Sequence, residues 1–210
     1  MKELQIRNMP ELPLTMAEAF DRLRVNLGFS GGKPKVIMVT SSVPGEGKSF
    51  VARQLWKQMA GVGESVLLID CSLHGEETSM GLAQYLAGQA ELEDVLYQTN
   101  LPNGYLLPAG ASAENPAALF AGERFRQMLE HCREKFDCVL IDTQSVSGFA
   151  DVLNIATHCD GTVLVVRSAS TSHKAVDHAV QLLKRTGTPL LGIVLNRADM
   201  KSRVTRHCYR

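Results

Sequence analysis

Apolar residues fall in short consecutive runs along this chain rather than in strict alternation. Val36-Ile37-Met38-Val39, Val66-Leu67-Leu68-Ile69, Val139-Leu140-Ile141 and Val163-Leu164-Val165-Val166 are the clearest of them. A strand that is apolar on successive residues is covered on both faces, as strands are in a parallel sheet between two helical layers. Strands are therefore predicted near 35–40, 65–70, 104–107, 137–142, 162–167 and 189–195. Between them the pattern predicts helices over 48–60, over 79–98 in pieces, and over 117–135, 149–158 and 172–186. Thr15-Met16-Ala17-Glu18 reads as a capping box, so a first helix is placed over 15–29, ended by Ser30-Gly31-Gly32-Lys33-Pro34. Alternating strands and helices imply an α/β fold with a mostly parallel central sheet flanked by helices on both faces. The expected organisation is an extended lead-in over 1–14, one domain over 15–200, and a short basic tail over 201–210.

The first strong strand runs into Thr40-Ser41-Ser42-Val43-Pro44-Gly45-Glu46-Gly47-Lys48-Ser49-Phe50, and a helical pattern with Val51, Leu55 and Met59 on one side follows. A glycine-containing turn between a strand and a helix curls successive N–H groups toward one point, and the helix N-terminus adds its dipole. This is the phosphate-binding loop of a P-loop NTPase. Pro44 through Phe50 are assigned to the nucleotide, with Lys48 reaching the β and γ phosphates and the Ser49 hydroxyl holding Mg²⁺. The general pattern starts with Gly, where this chain has Ser42.

Composition narrows the partners. Lys and Arg (22) balance Asp and Glu (22), so no net field draws the chain to nucleic acid or lipid. No apolar run approaches the roughly 20 residues that span a bilayer. The stretch Met1-Lys2-Glu3-Leu4-Gln5 lacks a signal-peptide core, which points to the cytoplasm. The five cysteines (71, 132, 138, 159 and 208) are odd in number and form no C-x-x-C pair, which argues against a metal or disulfide role, and Cys138 in its apolar strand is read as a small buried hydrophobe.

Two more strands deliver chemistry. Val66–Ile69 ends in Asp70 and Val139–Ile141 ends in Asp142, both at the carboxyl edge where open α/β sheets bind ligands. Asp142 is assigned to Mg²⁺, and Asp70 to the metal site and to accepting the proton of the attacking group. Asn196 and Arg197, just past the last strand, are candidates for the base of the nucleotide. A polar turn explains them equally well, and Arg167 has the same ambiguity.

These residues together resemble the cytoplasmic catalytic domain of the bacterial tyrosine kinases, the P-loop enzymes of capsule and exopolysaccharide synthesis. The likeness runs from Met16 to Asp199. It rests on Glu18-Ala19-Phe20 with Leu23–Leu27, on 40–49, on Leu106-Leu107-Pro108-Ala109-Gly110, on Asn115-Pro116, on Phe136–Thr143 and on Gly192–Arg197. Ser42 is usual in that family. The resemblance implies ATP (or ADP) and Mg²⁺ as cofactors, with Lys48, Asp70 and Asp142 as catalytic residues. It implies phosphoryl transfer to a C-terminal tyrosine of a neighbouring copy, here Tyr209. It further implies a homo-oligomer and a membrane-embedded polysaccharide chain-length (co-polymerase) partner that recruits the chain to the inner face of the membrane.

The chain departs from that pattern in places. Ser72 and His74 stand where a second Asp and an Arg are usual, and Gln144-Ser145 replace two prolines, which implies a more mobile or differently shaped turn. The tail carries one tyrosine. The family's assembly motif on the first helix keeps Glu18 and Arg24 but has Asp21 between them, and Glu18–Arg22 is expected as an intrahelical pair. Two alternatives follow: a nucleotide-binding regulatory relative with weakened catalysis, and a partition or positioning ATPase. The latter carries a signature Lys early in the loop, where this chain has Val43.

Overall fold

In the computed structural model, residues 2–6, 9–28, 34–73 and 80–199 are described. The strands are β1 (Lys2–Leu4), β2 (Val36–Ser41), β3 (Val66–Asp70), β4 (Tyr97–Thr99), β5 (Gly104–Leu107), β6 (Cys138–Asp142), β7 (Gly161–Arg167) and β8 (Leu190–Asn196). The helices are α1 (Leu14–Gly28), α2 (Lys48–Gly61), α3 (Leu82–Leu86), α4 (Leu92–Val95), α5 (Pro116–Phe120), α6 (Glu123–Lys135), α7 (Asp151–Ala156) and α8 (His173–Arg185). The strands form one sheet in the order β1-β4-β5-β3-β6-β2-β7-β8, parallel throughout except where β4 pairs with β5.

Each central strand feeds two cores through its alternating side chains. Ile37, Val39, Val66, Leu68, Cys138, Leu140, Val163 and Val165 face α1 and α2, where they meet Phe20, Leu55, Trp56 and Met59. Met38, Leu67, Ile69, Val139, Ile141, Leu164 and Val166 face the other layer, where they meet Leu82, Phe120, Phe125, Met128 and Leu183. This two-sided burial is why the strands read as continuous apolar runs. The Trp56 indole is fully buried and donates to the Val66 carbonyl at 2.9 Å, which ties α2 to the start of β3.

Four local features differ from the sequence pattern. α1 begins at Leu14, with the Pro13 carbonyl accepting from Met16 and Ala17, so Thr15 lies inside the helix and does not cap it. The 117–135 pattern is two helices, broken at Ala121-Gly122. The end of the 79–98 pattern is strand β4, whose Tyr-Gln-Thr sequence has no apolar run. Within the lead-in, Lys2–Leu4 is strand β1 beside β4, and Ile6, Met9 and Leu12 pack on the α2-side core.

At the amino end of β2, Asp160 Oδ2 accepts from the backbone N–H of Lys35 (2.8 Å) and Val36 (2.9 Å), and Arg133 Nη1 bonds both carboxylate oxygens (2.8 and 2.7 Å). Partial burial pushes this carboxyl up, but the bonds from Val36, Arg133 and Lys35 outweigh it and hold the pKa below its ordinary value. A lowered folded-state pKa contributes stability above the unfolded value, and that stability is lost as pH falls through the folded value. Asp160→Asn is therefore expected to cost about 1–2 kcal/mol at pH 7. In urea denaturation the gap to the wild type should shrink at pH 3; a gap independent of pH would contradict this account.

Candidate active site

β6 lies between β2 and β3, and its register fixes the site. Asp142 is the lateral neighbour of Asp70 on β3 and of Val39 on β2. Both carboxylates thus stand abreast at the carboxyl edge, Asp142 one strand and Asp70 two strands from the start of the phosphate loop. The reversal of strand order around β2 opens the crevice there.

The loop itself is built on two left-handed glycines, Gly45 (φ 82°) and Gly47 (φ 91°), and Gly47 directly precedes α2. A β-carbon at Gly47 would lie 2.2 Å from Asn196 Nδ2, so both its torsion and its neighbour require glycine. Lys48 and Ser49 open the first turn of α2 and are half-buried. The Ser49 hydroxyl lies beside the Asp142 carboxyl and favours its charged form. Asp142 is 2% exposed, and its Oδ1 has no hydrogen-bond partner among the described residues. Ser42 Oγ, in the loop, and Ser145 Oγ, in the turn after β6, are likewise buried without a described partner.

Burial dominates the Asp142 carboxyl and pushes it up to about 6; the Ser49 hydroxyl opposes the rise, Asp70 adds to it, and Lys48 and Arg53 oppose it. Arg53, one turn into α2, escaped the sequence reading because it lies beyond the loop motif. A cavity of about 260 Å³ runs from the two carboxylates past Arg53 and along Trp56, Leu106, Ile6 and Met9. Asp70 is half-buried, and its Oδ1 accepts the Ser72 N–H at 2.9 Å. His74 and Tyr209 lie outside the described residues.

The turn after β6, which carries Gln144 and Ser145 in place of prolines, is pinned to the loop. The Thr40 hydroxyl donates to the Gln144 carbonyl (2.7 Å), Val146 N–H to the Ser41 carbonyl (2.9 Å) and Ser147 N–H to the Ser42 carbonyl (3.3 Å). On α1, Arg24 pairs with Asp21 at 3.7 Å.

The remaining sequence candidates take varied positions. Pro44 and Gly45 are exposed at the loop tip. The Phe50 ring turns toward α1 and meets Phe20 edge-on at 6.3 Å between centroids. The Glu46 side chain is buried and bonds inward, to the Val43 N–H (2.8 Å), the Arg167 N–H (3.0 Å) and the Thr171 hydroxyl. Asn196 Nδ2 donates to the Glu46 carbonyl at 2.8 Å, and its Oδ1 accepts from the Arg197 N–H. Thr171 had no sequence signal, since its partner is 125 residues away.

A strand, a glycine loop, a helix that opens with Lys-Ser and two abreast carboxylates define a P-loop NTPase. The ParA family profile, described as NUBPL iron-transfer P-loop NTPase, matches residues 33–210. Tyrosine-protein kinase CpsD of Streptococcus agalactiae is 34% identical over 191 residues, 87% of this chain and 83% of that protein. The kinase domain of Escherichia coli tyrosine kinase ETK superposes with a TM-score of 0.81 at 26% identity, covering 94% of this chain and 86% of that one. The septum site-determining protein MinD of Pyrococcus horikoshii, complexed with Mg-ADP, follows with a TM-score of 0.66 at 25% identity over 80% of this chain and 72% of that one. The chain belongs to the ParA-type P-loop NTPases and, within them, to the bacterial protein-tyrosine kinases.

A carboxyl whose folded pKa is raised loses stability as pH climbs from its unfolded value through the folded one. Asp142→Asn removes that charge, so the variant should be more stable than the wild type at pH 8, by up to about 3 kcal/mol. The advantage should fade by pH 4. Thermal melts at the two pH values test this; equal melting temperatures at pH 8 would refute it.

Proposed function

We propose that this chain is an ATP-dependent protein-tyrosine autokinase that phosphorylates Tyr209 of a neighbouring copy. The observation that carries the reading is the buried Asp142 carboxylate, its Oδ1 free of described protein partners, with Asp70 abreast on β3. A buried carboxylate oxygen without a donor suits a cation. Ser49 and Asp142, with Asp70 beside them, would hold Mg²⁺, which supplies charge neutralisation on the phosphates of bound ATP.

The chain's own residues then divide the work. The loop N–H groups and Lys48 hold the phosphate chain. Asp70, oriented by the Ser72 N–H, takes the proton of the tyrosine hydroxyl. The phenolic oxygen bonds to the γ-phosphorus while the bond to the bridging oxygen breaks, and ADP leaves. The cavity beside Asp70 gives a phenol ring an apolar wall and the carboxylate at one end. Asn196 and Arg197 are proposed to lie against the base.

Tyr209 follows Asp199 by ten residue steps. Extended, they span about 35 Å. The site lies four strands from β8, about 19 Å across the sheet. Length therefore permits transfer within one chain as well as between chains, and the experiment must separate them. A membrane-embedded polysaccharide co-polymerase is the proposed partner, placing the chain at the inner face of the membrane; no described helix is long and apolar enough to cross one.

Purified protein incubated with Mg²⁺ and ATP should gain one phosphate on Tyr209 by intact mass. Lys48→Met and Tyr209→Phe should each fail to gain it alone. Mixed together, the Lys48→Met chain should become phosphorylated, which shows transfer between copies. Tight nucleotide binding with no phosphotyrosine under any of these conditions would overturn the autokinase reading and favour a nucleotide-binding regulator, the alternative that Ser72 motivates.

A further inference from the structure

Glu46 lies inside the phosphate loop, yet its side chain is only 1% exposed and turns away from the solvent. A buried carboxylate needs donors to offset desolvation, and each donor it finds belongs to a different part of the site. Oε2 accepts from the Val43 N–H at 2.8 Å, which closes the loop on itself. Oε1 accepts from the Arg167 N–H at 3.0 Å, at the end of β7, and from the Thr171 hydroxyl, in the turn between β7 and α8. Its own backbone carbonyl accepts from Asn196 Nδ2 at 2.8 Å, at the end of β8.

The two outer turns are also joined to each other. Ser168 N–H donates to the Asn196 carbonyl at 2.9 Å, while Thr171 N–H donates to the Arg167 carbonyl at 3.3 Å and closes the first turn on itself. Each turn contains a non-glycine residue in the left-handed region, Ala169 (φ 54°) and Arg197 (φ 55°). Such torsions cost energy unless neighbouring contacts fix them. The phosphate loop, the 167–171 turn and the 196–197 turn are thus tied at one point.

We propose that Glu46 is a positioning residue that, through Thr171, sets the spacing between the phosphate loop and the turns that receive the base. Base and phosphates of one nucleotide would then bind a single preorganised surface, and loosening the tie would cost affinity only for ligands that span both parts. The inference rests on the reading that the chain binds a nucleotide whose base lies against the 167–171 and 196–197 turns.

The test compares Mg²⁺-ADP, which spans both parts, with Mg²⁺-pyrophosphate, which touches the loop alone. Isothermal titration of the full chain would measure both ligands for the wild type, Thr171→Val, Thr171→Ser and Arg197→Asn. Valine keeps the shape of Thr171 and removes its donor, while the Glu46–Val43 bond that curls the loop remains. ADP affinity should fall about tenfold in Thr171→Val. Pyrophosphate affinity should change less than about twofold, and Thr171→Ser should recover the wild-type ratio. Asparagine tolerates the left-handed torsion at 197 and removes the guanidinium, so Arg197→Asn should lower the same ratio.

If Thr171→Val weakens both ligands equally, or neither, while Arg197→Asn lowers the ADP-to-pyrophosphate ratio, the coupling is wrong and the base placement stands. If Arg197→Asn leaves the ratio unchanged, the base lies elsewhere and the proposal fails with that reading. Loss of both ligands in the wild type would overturn nucleotide binding itself.

Discussion

The site depends on one pairing, the register of β6 between β2 and β3. A shift of β6 by one residue would turn Asp142 to the opposite face of the sheet, because side chains alternate along a strand. In the register observed, Asp142 stands beside Asp70 on one flank and Val39 of β2 on the other. The register is specified by burial on both faces. Val139 and Ile141 belong to one core, Cys138 and Leu140 to the other, and all four are fully buried. Burying four such side chains contributes several kcal/mol, roughly 1.5–3 for each large one, and a slip would exchange the side chains between two differently shaped cores. The catalytic geometry is therefore fixed by packing a few residues before the carboxylates.

That placement has an electrostatic cost which the chemistry uses. An Asp buried this deeply beside a second carboxylate resists ionisation, and its pKa of about 6 records it. The cost falls on the protein without ligand and is relieved by any cation that comes to the unpartnered oxygen. Asp70 occupies a different environment, half-exposed and turned by the Ser72 N–H. Two carboxylates on adjacent strands thus differ in burial and in hydrogen bonding, and the roles proposed for them above, cation ligand for Asp142 and base for Asp70, rest on that difference. Replacing the usual second Asp by Ser72 removes a charge near this pair but leaves the backbone donor that orients Asp70.

Much of this was legible in the sequence, and the boundary of legibility has a physical cause. The central strands were readable because burial on both faces forces unbroken apolar runs, and the phosphate loop was readable because left-handed torsions demand glycine at 45 and 47. Strands β1 and β4 were not, since Lys2-Glu3-Leu4 and Tyr97-Gln98-Thr99 lie at one margin of the sheet, where a strand needs no apolar side chains. The start of α1 was misread because Thr15 and Glu18 have capping spacing while Pro13 supplies the acceptor. Glu46 was seen as a loop residue but not as a brace. Its partners at 167 and 171 are fixed by the crossing of β7 beside β2, which no local pattern encodes.

The turn at 144–147 shows how a chain can replace covalent stiffness by hydrogen bonds. Proline would restrict this turn through its ring and supply no N–H. Here the restriction comes from Thr40, which donates to the Gln144 carbonyl, and from Val146 and Ser147, which donate to Ser41 and Ser42. None of these bonds uses the side chain of residue 144 or 145, so losing the prolines does not require losing the shape. The consequence is a change in dependence. A proline turn keeps its form by itself, whereas this one takes its form from the opening of the phosphate loop, residues 40–42. The loop in turn is held by Glu46 on its far side. The turn that follows Asp142, with the buried Ser145 hydroxyl in it, is thus shaped by the same backbone that opens the loop.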